Sequence, residues 1–257
     1  MNIYVCIKQV PDTETKIKLN ADSSGIDTAG IKWIVSPFDE FAIEEALRLR
    51  DKNPGSTVTV MSAGPVRTVE AIRTALAMGA DNGIQIELPE GADNNLAAKA
   101  LAGALKKEPK VDIVFTGKEA IDDGAAQVSQ LTAEYADMPY VTVVLGVEYG
   151  PTSVKAKREI EGGSFEMVEA QLPCLIAAQK GLNEPRYASL PNIMKAKKKE
   201  VKSLKMADVG VSEADQKIRY KNYQMPPAKQ AGKKIAGDPA TQAKELVRLL
   251  HEEAKVV

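Results

Sequence analysis

Histidine is nearly absent from this 257-residue chain: His251 stands alone. Only two cysteines occur, Cys6 and Cys174, and each sits inside a short apolar run. No C-x-x-C and no H-E-x-x-H is present, so a structural or catalytic metal site of the His or Cys type is not expected. The two cysteines read as buried reduced thiols rather than a disulfide or a nucleophile. Phosphate-binding signatures are missing too: there is neither G-x-G-x-x-G nor G-x-x-x-x-G-K-[ST]. A G-x-S-x-G elbow is lacking, and His251 has no triad around it. It reads as a helix-face residue near a negative dipole end. No run reaches the roughly 18 apolar residues needed to span a bilayer, so no membrane insertion is expected. The start, "MNIYVCIKQV", goes straight into a strand pattern without an export signal, which leaves the cytoplasm as the expected location. Charge of one sign is not in excess: 34 Lys and Arg face 35 Asp and Glu. Neither nucleic acid nor membrane is a favoured partner.

What is present is alternation. Residues 2–10 form an apolar run ended by Pro11 and read as one buried strand. Phe38, Phe41, Ala42, Ala46 and Leu49 then recur at three and four, one helix face over residues 37–52. Ser36 before Pro37 is the expected N-cap. Residues 57–62 and 83–88 read as strands, 66–78 and 95–106 as helices, with Asp93 or Asn94 as cap of the second. The strand at 111–116 leads through a glycine-containing loop to a helix over 125–136. Strand and helix in turn imply a mostly parallel sheet covered on both faces, a Rossmann-like α/β fold.

Beyond residue 136 the pattern changes to strands at 140–147, 154–161, 164–170 and 174–178, with Gly162-Gly163 as a hairpin turn. They read as an antiparallel addition. Residues 183–199, "NEPRYASLPNIMKAKKK", read as a proline-stiffened loop with apolar side chains, in which Leu190 is hard to place in regular structure and Ile193 and Met194 tuck onto the body. Its lysines are either a solvated face or the charged surround of a protein-docking tip. Residues 213–237 read as an extended arm, followed by an amphipathic helix from Asp238-Pro239. That helix either folds back or crosses to a second chain, and periodicity does not separate the two. The domains expected are 1–212, the α/β domain with the 183–199 loop, and 213–257, the arm with its helix.

Ligands of open parallel sheets sit beyond the carboxyl ends of the strands. Those ends offer Pro11-Asp12, Ala63-Gly64-Pro65 and the stretch Gly117 to Gly124. Asp122 or Asp123 could take a sugar hydroxyl or an adenine amino group, with phosphate on the amides that follow. The other reading is that both aspartates merely cap a helix, and the pattern alone favours the cap. No side chain set for breaking covalent bonds is visible. A nucleotide-dependent enzyme or regulatory sensor is a competing reading; an enzyme of the ATP-pyrophosphatase kind would want S-G-G-x-D-S where Ser62-Ala63-Gly64-Pro65 stands.

Several stretches resemble one family, the beta subunit of electron transfer flavoprotein. They are "SPFDEFAIEEALRLRD", "IRTALAMGAD", "GKEAIDDGAAQVSQLTAEY", and "VKAKREIEGGSFEMVEAQLPCL" followed by "GLNEPRYASLPNIMKAKKK". The resemblance runs along nearly the whole chain. It implies an adenine nucleotide alpha hydrolase-like fold, a heterodimer with an alpha subunit, and a redox FAD held mainly by alpha. This chain would carry electrons without catalytic residues of its own. A second nucleotide in beta is implied, AMP in simple carriers and a second FAD in electron-bifurcating members. By position its site would use Cys6, Lys8, Ser36, Pro37, Phe38, Asp39 and Ala63. It would also use Gly117, Lys118, Glu119, Ala120, Ile121, Asp122, Asp123, Gly124, Ala125, Ala126, Gln127 and Val128. The balance thereby turns toward a phosphate-holding loop. Residues 183–199 resemble a recognition loop that presents Leu190, with Tyr187, Pro191, Ile193, Met194 and Lys195, to dehydrogenases of the acyl-CoA type. Electrons would pass on to a quinone oxidoreductase or another acceptor. The terminal arm and helix resemble a segment that packs on alpha.

The family pattern is not met everywhere. AMP-type members often carry a third aspartate where Gly124 stands, and a glycine at Ser129. Bifurcating members carry an "IDGDTAQVGP"-like stretch, of which this chain keeps Gln127-Val128 but neither the Asp-Thr nor the Gly-Pro. "KQVPDT" leans toward the bifurcating side, "GIQIEL" and "QLTA" toward the simple carriers. AMP is the expectation.

Overall fold

A computed structural model describes residues 1–229 and 231–257. Strand β1 (Asn2–Cys6) alternates its side chains between two cores. Ile3 and Val5 join one buried cluster with helices α1 (Pro37–Lys52) and α2 (Val69–Met78). Tyr4 and Cys6 join the other, with α3 (Asn94–Lys107) and α4 (Val128–Tyr135). A strand apolar on both faces must be covered on both, and the helices do this. Side chains such as Leu47 and Phe115, fully shielded from water, each contribute about 2 kcal/mol through burial.

Nine strands form the main sheet, in the order β11-β5-β4-β1-β6-β10-β7-β8-β9. The members not yet named are β4 (Thr57–Gly64), β5 (Asn82–Glu87), β6 (Ile113–Gly117), β7 (Tyr140–Tyr149), β8 (Ser153–Glu159), β9 (Phe165–Gln171), β10 (Cys174–Ala178) and β11 (Val201–Lys205). From β11 to β7 every pairing is parallel. Within this sheet, among the described residues, only β7–β8 and β8–β9 are antiparallel, and two left-handed glycines, Gly162 and Gly163, turn the chain between β8 and β9. The α/β class with a mostly parallel sheet and a small antiparallel addition is therefore as expected.

The details differ in several places. The run 2–10 is not one strand: it breaks after Cys6, and β2 (Gln9–Pro11) pairs with β3 (Trp33–Val35) in a separate ribbon. β10 was expected in the antiparallel addition but lies between β6 and β7, parallel to both. The segment 183–199 is not all loop, because Leu190–Lys198 forms helix α5. Ser189 accepts a hydrogen bond from the Asn192 N–H as N-cap, and Pro191 sits in the first turn, where a missing N–H costs nothing. Finally, the lysine run continues into β11, an edge strand.

The terminal helix α6 (Pro239–Arg248) starts at Asp238, whose carboxylate accepts from the Thr241 N–H. None of its residues is buried, and Leu246 and Val247 face solvent. Among the described residues no helix is long and apolar enough to cross a membrane.

Candidate functional site

The carboxyl ends of β1 and β6 are adjacent, and one side chain ties them together. Asp39, in the first turn of α1, is 6% exposed. One of its carboxyl oxygens accepts the Lys8 backbone N–H at 2.7 Å, the other the Gly117 N–H at 2.8 Å. Helix α1 starts here because Pro37 fixes the first turn and the Asp39 N–H bonds back to the Ser36 carbonyl. The Ser36 hydroxyl was expected to cap this helix but does not. It is fully buried and, among the described residues, has no partner.

Beyond β6, residues 118–127 form a ten-residue loop, so α4 begins at Val128 and not at Ala125 as expected. Neither aspartate caps that helix, which removes the cap reading. Instead the Lys8 ammonium donates to Asp122 at 2.8 Å and to Asp123 at 3.2 Å. Asp123 also accepts the Ala125 N–H. The loop is wound tightly: Gly124 and Ala126 both have positive φ, a strained state for the alanine. Ser129, noted in the sequence only as a departure from the family, has a structural task. Its buried hydroxyl donates to the Gly117 carbonyl and accepts from Thr116 Oγ1.

Burial works against the Lys8 charge, but the two carboxylates beside it win and hold its pKa above the ordinary value. Burial also works against the Asp123 charge, and here Lys8, the Ala125 N–H and the Asn94 side chain hold the pKa below the usual range. Asp39 goes the other way. Burial pushes its carboxyl up to about 7, although the Lys8 and Gly117 N–H groups favour the charged form. An unfolded aspartate titrates near 4, so between about pH 4 and about pH 7 the folded protein holds a proton that the unfolded chain has released. This contribution favours folding at the acid end of the window and is lost as pH rises through about 7. The stability of the wild type relative to Asp39→Asn should fall across that window, by up to about 1.4 kcal/mol per pH unit, and level off above it. Thermal unfolding of both proteins over the range checks this; a constant gap would place the titration elsewhere.

The expected site residues are thus partly gathered. Lys8, Asp39, Gly117, Asp122 and Asp123 are joined by direct bonds, and Lys118 lies with its ammonium 5.0 Å from the Phe38 ring centre. Gly124, Ala125, Ala126 and Gln127 line the same loop, with Glu119, Ala120 and Ile121 half-buried before them. Val128 opens α4 and packs into the core. The Cys6 side chain also belongs to the core, and burial, then Asp39, pushes its thiol up to about 12. Cys174 is likewise a free, buried thiol pushed up to about 12 by burial. Ala63 is half-buried near the end of β4. Open cavities of about 380 and 530 Å³ lie at the opposite, amino ends of the strands, around Met1 and Pro151. Neither reaches any residue of the loop.

A second feature lies on segment 183–199. Tyr187 is 99% exposed and Leu190 73%, both large apolar surfaces left in water. Ile193 and Met194, expected to tuck inward, are exposed, and Pro191 and Lys195 are exposed beside them. The residue that packs on the body is Ala196. Arg73 of α2 donates to the carbonyls of Ala196, Lys197 and Lys199, filling acceptors that the end of a helix leaves open.

The chain is an open, mostly parallel α/β domain with a polar loop at its strand ends and an exposed apolar helix tip on segment 183–199. The family described as the electron transfer flavoprotein domain matches residues 24–209. The chain is 41% identical to the electron transfer flavoprotein subunit beta of Bacillus subtilis, with both chains covered in full. It is 42% identical to the subunit of the same name from Bos taurus, over 97% of this chain and 99% of that one, and 41% identical to the human one over the same shares. The chain belongs to the electron transfer flavoprotein family, among its beta subunits. Flavin-linked electron transfer is therefore its field of work.

Proposed function

We propose that this chain is the static half of a heterodimeric electron carrier. It binds AMP in the loop beyond β6 and anchors donor dehydrogenases through α5. The redox FAD is held mainly by an alpha subunit, which fits relatives named as beta subunits. The observation that carries the nucleotide reading is the Lys8–Asp122–Asp123 cluster over the Asp39 clamp, all at adjacent strand ends. Among the described residues the backbone N–H groups of Ala126 and Gln127 find no acceptor and suit a phosphate. The carboxylates of Asp122 and Asp123 suit a ribose or the adenine amino group. Ser36 keeps a spare hydroxyl at the head of α1.

FAD, when bound, supplies the whole redox chemistry. This chain's residues bind, orient and anchor: α5 and the segment leading into it present Leu190 and Tyr187 to a dehydrogenase of the acyl-CoA type, and the lysines beside them speed encounter. From there electrons go to a quinone oxidoreductase or a similar acceptor. The arm 213–257 packs on alpha, which gives the open stripe of α6 a cover. The proposed setting is the cytoplasm and fatty acid oxidation. Denaturing the purified heterodimer and identifying the released nucleotides by mass tests the cofactor reading. FAD and AMP in equal amounts are expected. Two FAD per heterodimer would make the chain a bifurcating subunit.

A further inference from the structure

The docking tip is exposed, yet its root is held by two neighbouring buried carboxylates of α1, Glu44 and Glu45. Glu44 is 4% exposed and accepts three bonds from Arg186: from its backbone N–H at 3.1 Å, Nε at 2.8 Å and Nη2 at 3.1 Å. Glu45 accepts from Asn183 Nδ2 at 3.1 Å and from the Tyr149 hydroxyl at 2.9 Å, and Asn183 Nδ2 also donates to the Phe41 carbonyl. Arg186 immediately precedes Tyr187 and lies four residues before Leu190.

We propose that Glu44 and Glu45 are positioning residues for partner docking, fixing the 183–189 root so that Tyr187 and Leu190 are presented in one pose. The physical ground is the cost of ordering. A root with only solvent contacts would lose its freedom at the moment of docking and weaken the complex. Here that freedom is already spent in folding, on a two-pronged guanidinium–carboxylate pair whose carboxylate is shielded from water and an amide held at two points. The same helix α1 carries Asp39 five residues before Glu44, so the nucleotide loop and the docking root share one rigid rod.

This inference rests on the reading of α5 as the docking element, and its test separates the two. The heterodimer, reconstituted with its alpha subunit, is assayed with an acyl-CoA dehydrogenase reduced by its substrate. Glu44→Gln and Arg186→Gln are compared with Leu190→Ala. Each of the first two should raise the half-saturating concentration about tenfold, the scale of lost pre-organisation, with the maximal rate and nucleotide content unchanged. The double variant should be no worse than Arg186→Gln alone, because both changes break the same pair and Arg186→Gln also gives up the two bonds that the guanidinium donates to Asp51. Should Leu190→Ala weaken docking while Glu44→Gln and Arg186→Gln dock like the wild type, the inference is overturned. A lower melting temperature without any rise in the half-saturating concentration overturns it too, since that is a purely structural role. If Leu190→Ala has no effect, the docking reading itself fails and takes the inference with it.

Discussion

Gly117→Ala should unfold at markedly lower denaturant and lose its nucleotide. A β-carbon on Gly117 would sit 2.5 Å from Asp39 Oδ1 and 2.7 Å from the β-carbon of Phe38. Neither neighbour can swing away. The Asp39 oxygen is fixed by the Gly117 N–H itself, and Phe38 belongs to the first turn of α1. Relief requires the end of β6 and the head of α1 to part, which strains the Asp39 clamp and the Ser129 bond to the Gly117 carbonyl together. Overpacking and a strained buried hydrogen bond together cost about 2–4 kcal/mol. Urea unfolding of the variant, with the nucleotide content of the folded protein, measures both effects. A variant with wild-type midpoint and full nucleotide would show that the clamp does not organise the loop.

Leu190→Ala should do the reverse: leave the fold untouched and cripple docking. Its side chain is 73% exposed and contributes little burial, so stability should stay within about 0.5 kcal/mol. Heterodimer assembly and nucleotide content should be unchanged. Truncating an apolar anchor at the centre of an interface costs about 2 kcal/mol or more, which is roughly thirtyfold in affinity. Transfer from a reduced acyl-CoA dehydrogenase at low carrier concentration should slow accordingly. Unaltered kinetics would strip α5 of the anchor role.

The α/β alternation and α1 were legible because their signals are local. Apolar spacing and Ser36-Pro37 at the start mark α1, and the helix spans Pro37–Lys52. The pairing of β10 was not legible. "CLIAA" reads the same in a parallel or an antiparallel neighbourhood, and only long-range contact with β6 and β7 decides between them. In α5 the same residues, Ser189, Leu190 and Pro191, serve equally as a stiff loop or as a capped first turn, and the turns behind them settle it. Three of the five residues of β11 are lysine or serine, as an edge strand can have, and this hides its periodicity.

The candidate site divides in the same way. Asp122-Asp123 could be found from the end of a strand pattern, whereas Lys8 came only through the family resemblance. The Asp39 clamp could not, since it links backbone groups 31 and 78 residues away, nor could the Glu44–Arg186 pair, 142 residues apart. No local pattern carries such pairings. Only the arrangement of strands shows that a first-turn aspartate closes the gap between β1 and β6.

The central claim is that this chain holds and anchors while oxidation and reduction occur on a flavin lodged with its companion. The most direct measurement follows electron flow from a reduced acyl-CoA dehydrogenase to an acceptor dye, through this chain alone and then with the alpha subunit added. The account predicts no flow through the chain alone and rapid flow once alpha and FAD are present. Electron transfer by the chain without its companion would contradict it.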